Sequence, residues 1–208
     1  MAATLLLLSP SAPAAGRTAL LHALADQGPL VAPDWSPGAG ADLLTGPARA
    51  ALARLDEQPD PEPALVCGVA AGALVALQLA VLAPGRVQGL VLCTGVRPLA
   101  TVVRSVYHGV AGLLPVSTLQ RLGGRGDALV PLLDAVRQLD HARLSPQVRV
   151  PAVVPYGARD PVNRRPSELL ARGLPQGAAV RVPDAGPGWV WREPGRLAAV
   201  VAELRRRR

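Results

Sequence analysis

A chain of 208 residues has the length of one domain, and a domain of that size buries about 70% of its unfolded surface, so it folds without disulfide or metal. Half of the residues are hydrophobic and only 2% aromatic, with Phe absent, which leaves Leu, Val and Ala to build the core. The net charge of +7 would suggest nucleic acid or an anionic surface, but all 22 cations are Arg, scattered without interleaved aromatics, and this argues against a nucleic-acid partner.

The opening stretch, MAATLLLLSPSAPAAG, imitates a secretory leader, yet it has no basic n-region and its apolar run is short. It reads as a strand over residues 4–8 followed by a loop, in a protein expected to be cytoplasmic. A helix at 16–26, a strand at 30–32, a helix at 41–55, a strand at 64–66, a helix at 72–82 and a strand at 87–92 follow. Strand-length apolar runs alternating with amphipathic helices predict an α/β domain: a mostly parallel open sheet, helices on both faces and right-handed crossovers.

The alternation breaks between 97 and 147. TVVRSVYHGVAGLL and DALVPLLDAVRQL read as helices separated by RLGGRGD, an all-helical insertion placed to cap the carboxyl ends of the strands, where open sheets bind ligands. A strand at 152–155, a helix at 167–172, a strand at 179–182 and a helix at 194–206 complete the pattern. The domain plan is thus core sheet 1–96, cap 97–147 and core sheet 148–208. No run approaches the ~18 apolar residues of a membrane span, so no membrane partner is expected. No CxxC motif or His cluster offers a metal site, and no cofactor is expected. Cys67 and Cys93 end apolar strand-like runs, as buried, reduced thiols do. The absence of Lys, Ile and Phe beside abundant Ala, Gly and Pro reads as the coding bias of a GC-rich bacterium.

Four blocks in order carry a resemblance: LVAPDWSPGAGAD, PALVCGVAAGALVALQLAVLAPGRVQGLVLCTG, VRVPAVVPYGARDPV and AAVRVPDAGPGWVWREPGRLAAVVAELRR. Together they resemble the α/β-hydrolase fold across nearly the whole chain. The second block is similar to that family's nucleophile elbow, G-x-S-x-G, whose glycines make room for a strained strand-to-helix turn. Here the pattern is Gly68-Val69-Ala70-Ala71-Gly72, so Ala70 stands at the serine position. The last block puts Pro187 where the family has its histidine. Only Asp160, in GARDP, matches as the triad acid, and an Asp before Pro161 serves equally well as a turn initiator. The resemblance further implies that the two strands usually preceding the first are missing, which leaves the strand at 30–32 on the sheet edge. An uncovered edge invites pairing, so a homodimer through that edge is expected.

Loss of a triad nucleophile or base costs about 10⁶ in turnover. A site stripped of its triad keeps roughly 10³ to 10⁴ over water. Efficient serine-type hydrolysis at Ala70 is therefore excluded. On the oxyanion side the family's His-Gly pair is replaced by Ser9-Pro10-Ser11; Pro10 lacks a donor, while the hydroxyls of Ser9 and Ser11 and the N–H of Ala71 remain. His22 belongs to the surface of the first helix. Groups left to move a proton are Asp160 and, in the cap, Tyr107, His108 and His141. In GPGWVW, one of Trp189 and Trp191 plugs the core where Phe is unavailable, or a tryptophan there, Trp189 foremost, walls an apolar ligand cavity with Trp35 on its opposite side. Two functions stand open. One is a non-hydrolytic enzyme of epimerase, cyclase or acyl-handling type acting on an apolar, carbonyl-containing small molecule in a bacterial biosynthetic pathway. The other is a pseudoenzyme that binds a ligand or serves as a scaffold, or else a decayed copy that is a hydrolase by fold alone.

Overall fold

Leu5–Leu8 shows how this sequence builds its sheet. The four leucines are buried on both faces, Leu5 and Leu7 toward one helical layer and Leu6 and Leu8 toward the other. Side chains alternate across a strand, so a continuous apolar run is the mark of a strand covered on both sides. Each buried leucine contributes about 1.5–3 kcal/mol, which holds this segment as an interior strand of the sheet.

The computed structural model describes residues 3–9, 14–34, 44–59, 62–93 and 144–206. In chain order these form β1 (Leu5–Leu8), α1 (Ala14–Ala25), β2 (Leu30–Val31), α2 (Thr45–Asp56), β3 (Ala64–Val69), α3 (Ala71–Leu82) and β4 (Val87–Cys93). After the described chain resumes come β5 (Ala152–Gly157), α4 (Pro161–Gly173), β6 (Gly177–Val182), α5 (Trp189–Arg192) and α6 (Pro194–Arg206). The six strands are all parallel, in the order β2-β1-β3-β4-β5-β6. Helices α2, α3 and α4 cover one face, with Leu74, Leu77 and Ala171 against Leu6, Val66, Leu90 and Val154. Helices α1, α5 and α6 cover the other, where Leu20, Trp189, Leu197 and Val201 meet Leu5, Leu65 and Val91.

The predicted fold class holds, and β2 lies at the sheet edge as the family's strand order implied. Among the described residues no helix is long and apolar enough to cross a membrane. Several boundaries differ from expectation, and two of them shape the site. Strand β3 runs on to Val69, through Gly68. Helix α4 starts at Pro161 and not at 167, because Asp160 caps it and Pro161 sits in its first turn, where the missing N–H costs nothing. Pro166 lies inside that helix and leaves a carbonyl one turn back without its donor; that carbonyl belongs to Val162, which is exposed. The short α5 was not foreseen. The proposed cap, 97–147, lies outside the described residues except for its end, a single 3₁₀ turn at Ser145–Gln147 with the residue before it.

Candidate functional site

The site begins with a turn. β3 ends at Val69, α3 starts at Ala71, and Ala70 between them has φ 53° and ψ −123°. A residue with a Cβ avoids positive φ, so this geometry holds strain on the order of 1–3 kcal/mol. The surroundings impose it. A Cβ on Gly68 would lie 2.5 Å from the Cα of Ala73, and one on Gly72 would lie 1.9 Å from the carbonyl oxygen of Leu8. Only glycine allows the helix to fold back over the strand end and against β1. The N–H of Ala70 donates to the carbonyl of Cys93, 3.0 Å away, and its own carbonyl accepts from Ala73 at 3.1 Å. The turn keeps the shape that the G-x-S-x-G resemblance implies, with a methyl group at its tip.

Two loops from neighbouring strands meet beside it. The N–H of Arg159 donates to the carbonyl of Ala185 at 2.8 Å, and the Arg159 guanidinium pairs with Asp184 at 2.7 Å. Gly157 makes this approach feasible, since a Cβ there would stand 2.4 Å from the Ala185 oxygen. Arg192 and Arg196 pin the second loop by donating to the carbonyls of Pro187 and Pro183.

Ala70, Asp160 and Trp189 therefore border one cavity of about 120 Å³, together with Cys93, Asn163 and Val190. At about 30 Å³ per water it holds about four waters, or a ligand fragment of a few heavy atoms. Its walls are polar and apolar in about equal measure, with Asp160 and Asn163 facing Val69, Trp189 and Val190. Trp189 is 4% exposed and belongs to the core of the α6 face, so it plugs the core and walls the cavity at once. Pro187 is exposed and does not border the cavity.

Asp160 is 2% exposed, and both of its oxygens are taken by one residue. Oδ1 accepts from the backbone N–H of Asn163 at 3.1 Å and Oδ2 from its side-chain amide at 2.6 Å. This is an N-cap with the first turn reaching back to it. The geometry thus gives the turn-initiating reading of Asp160 its physical content. Asn163, three residues on, is a site residue that the sequence reading passed over, although an Asp with a polar amide three positions later at a helix start is a legible signal.

Cys93 is the last residue of β4 and stands next to Cys67, both buried and unbridged. Burial pushes the Cys93 thiol well above its ordinary range, and the neighbouring Cys67 raises it further. A thiolate is the reactive form, so Cys93 presents an inert thiol to the cavity.

Ser9 follows β1 directly after Leu8, the residue that Gly72 touches. It is 5% exposed, and its hydroxyl has no hydrogen-bond partner among the described residues. The N–H of Ala71, first in α3, has no acceptor within the helix by position. His22 is exposed on α1, far in sequence from every cavity residue. Ser11, Trp35, Tyr107, His108 and His141 lie outside the described residues. Among the described residues no group of His, Cys, Asp and Glu is arranged to hold a metal ion.

No family model matches the chain, and no curated protein does. Solved structures do. MGS-MChE2, an alpha/beta hydrolase enzyme from the metagenome of sediments of the lagoon of Mar Chica, Morocco, aligns over 100% of this chain and 92% of its own with TM-score 0.73 and 18% identity. NosK from Streptomyces actuosus aligns over 99% and 98% with TM-score 0.72 and 19% identity. The enol-lactonase from Burkholderia xenovorans LB400 aligns over 98% and 91% with TM-score 0.65 and 18% identity. At these identities the likeness is one of fold, and fold does not carry function.

Proposed function

The chain has the α/β-hydrolase fold, and from that premise we propose that it is a pseudoenzyme that binds a small apolar carbonyl compound at the elbow without forming a covalent intermediate. The observation that carries this reading is Ala70: a strained turn, held by two glycines that admit no side chain, presents a methyl group, and no nucleophile, to a cavity of mixed polar and apolar lining. The N-terminus of α3 offers backbone donors toward a carbonyl oxygen, and Trp189, Val190 and Cys93 offer apolar contact.

The rival reading, a non-hydrolytic epimerase, cyclase or acyl-handling enzyme, has Asp160 at the cavity in its favour. Against it, both Asp160 oxygens are engaged by Asn163, and Cys93 is held protonated. Both facts favour binding over turnover.

The test is thermal unfolding against a library of short-chain ketones, lactones and thioesters, with an Ala70→Leu variant that fills the cavity. A ligand at 100 times its Kd stabilises by about 2.7 kcal/mol, which raises Tm by several degrees in a domain of this size. We expect at least one library member to do this for the native chain and not for Ala70→Leu. Equal shifts in both proteins, or none in either, would overturn the reading.

A further inference from the structure

The cavity beside the elbow holds a charge without a counter-charge. Asp160 borders it and is buried, and both of its oxygens accept hydrogen bonds from Asn163. An ionised carboxylate is the form that only accepts, and its two oxygens together offer about four acceptor positions. Asn163 fills two of them. A buried charge is ordinarily paired with one of opposite sign, because water no longer stabilises it.

Among the described residues Asp160 has no such pair. The chain carries 22 cationic side chains and a net charge of +7, yet neither arginine nor histidine borders the cavity. Three arginines of the adjoining segments are committed elsewhere: Arg159 to Asp184 at 2.7 Å, Arg164 to Glu168 at 3.1 Å, and Arg192 to the carbonyl of Pro187. Pro187 itself is exposed and lies outside the cavity, so no imidazole answers the carboxylate from that loop. What remains is the amino end of α4, which Asp160 caps, and a helix end supplies a partial charge only.

The facing wall receives a cation too. Trp189 and Trp191, two of the chain's three tryptophans, both border the cavity. An aromatic ring attracts an ammonium group over its face, and more strongly where water is excluded. A hard metal ion fits the lining poorly, since it takes six or more oxygen ligands, and among the described residues no group of His, Cys, Asp and Glu is arranged to hold one. The volume of about 120 Å³ limits the occupant to a few heavy atoms.

We propose that Asp160 is the anionic half of a binding site for a small primary ammonium group, carried by the same ligand whose carbonyl meets the elbow: a short amino ketone or amino ester. This rests on the reading of the cavity as a carbonyl-binding site and adds the group at the ligand's other end. The ammonium donates to the two open acceptor positions of Asp160 beside the indoles, and Val69 and Val190 line the space for its carbon chain. A neutral ligand of the same shape would leave the carboxylate without a partner, so charge sets the preference.

Ligand-observed NMR titrations of the full chain test this with three probes of equal size: aminoacetone, butanone, in which a methyl replaces the ammonium, and isobutylammonium, in which a methyl replaces the carbonyl oxygen. We expect aminoacetone to bind the native chain at least about tenfold more tightly than butanone, the scale of one charge-assisted hydrogen bond, and Asp160→Asn to lose that preference. Asparagine caps a helix as well as aspartate does, so the variant keeps its fold, and the native comparison needs no variant. Butanone that binds the native chain as tightly as aminoacetone would overturn the proposal and leave the carbonyl reading standing. Isobutylammonium that matches aminoacetone would uphold the ammonium site and overturn the carbonyl reading. A preference for aminoacetone that survives in Asp160→Asn would overturn the role of Asp160, and binding of none of the three would overturn both readings.

Discussion

Replacing Ala70 with glycine should make this protein more stable, the reverse of what glycine does at most positions. The strain stored at φ 53° is on the order of 1–3 kcal/mol, and glycine releases it. Against this stand the added freedom of glycine in the unfolded chain, about 0.4–1 kcal/mol, and the loss of a half-buried methyl, about 0.4 kcal/mol at half of the usual value per carbon. The balance is near 1 kcal/mol in favour of the variant, or about 2–4 °C in Tm for a domain of this size. Urea unfolding with a common m-value reads it directly. Gly72→Ala is the contrasting control, because its methyl would press within 1.9 Å of the Leu8 oxygen; it should lose about 3 kcal/mol or more. If Ala70→Gly destabilised by more than about 0.5 kcal/mol, the turn would not be strained, and the claim that the elbow keeps its shape without its chemistry would fail.

Asp160→Ala should cost about 1–2 kcal/mol by urea unfolding, the value of an N-cap, and Asn163→Ala should cost a similar amount that does not add to it, because the two residues form one unit. Cys93 should resist iodoacetamide at pH 7.5 in the native protein and react freely in urea. Its raised pKa also has a stability consequence. The folded state keeps the thiol proton after the unfolded chain has lost it, so the contribution is fully present below about pH 8.5 and declines as pH rises beyond. The native chain should therefore lose stability between pH 8 and 10 at up to about 1.4 kcal/mol per unit more than Cys93→Ala does. Gly157→Ala would push on the carbonyl of Ala185, 2.4 Å from the new methyl, and should weaken ligand binding together with stability, since that contact sets the loop leading to Trp189.

The layered fold was legible because its signals are local. A run such as Leu5–Leu8 is buried on both faces wherever the sheet lies, and alternation with helices implies parallel strands. The altered elbow was legible for the same reason: Gly68 and Gly72 flank Ala70 within five positions, and the structure supplies the contacts that demand them. What distance in sequence conceals was harder. Cys67 and Cys93 meet through the register of β3 on β4, which pairs Val69 with Cys93, and no spacing in the chain announces it. The start of α4 was expected at 167, six residues late, because Asp160-Pro161 serves equally well as a turn; Pro161 is in fact a favoured first-turn residue and Pro166 is tolerated beside a solvated carbonyl. The apolar groove between β6 and α6 depends on which strand ends the sheet, a property of topology that the residues 177–182 do not encode alone.

Turnover of activated esters and thioesters tests the central claim most directly, measured for the native chain and for Asp160→Asn. The account predicts rates for both proteins no higher than the roughly 10³ to 10⁴ over water that a site without its triad retains, equal between the two. Turnover at about 1 s⁻¹ or above, in the range of working enzymes, and lost in Asp160→Asn, would mean a rebuilt catalytic site and would contradict it.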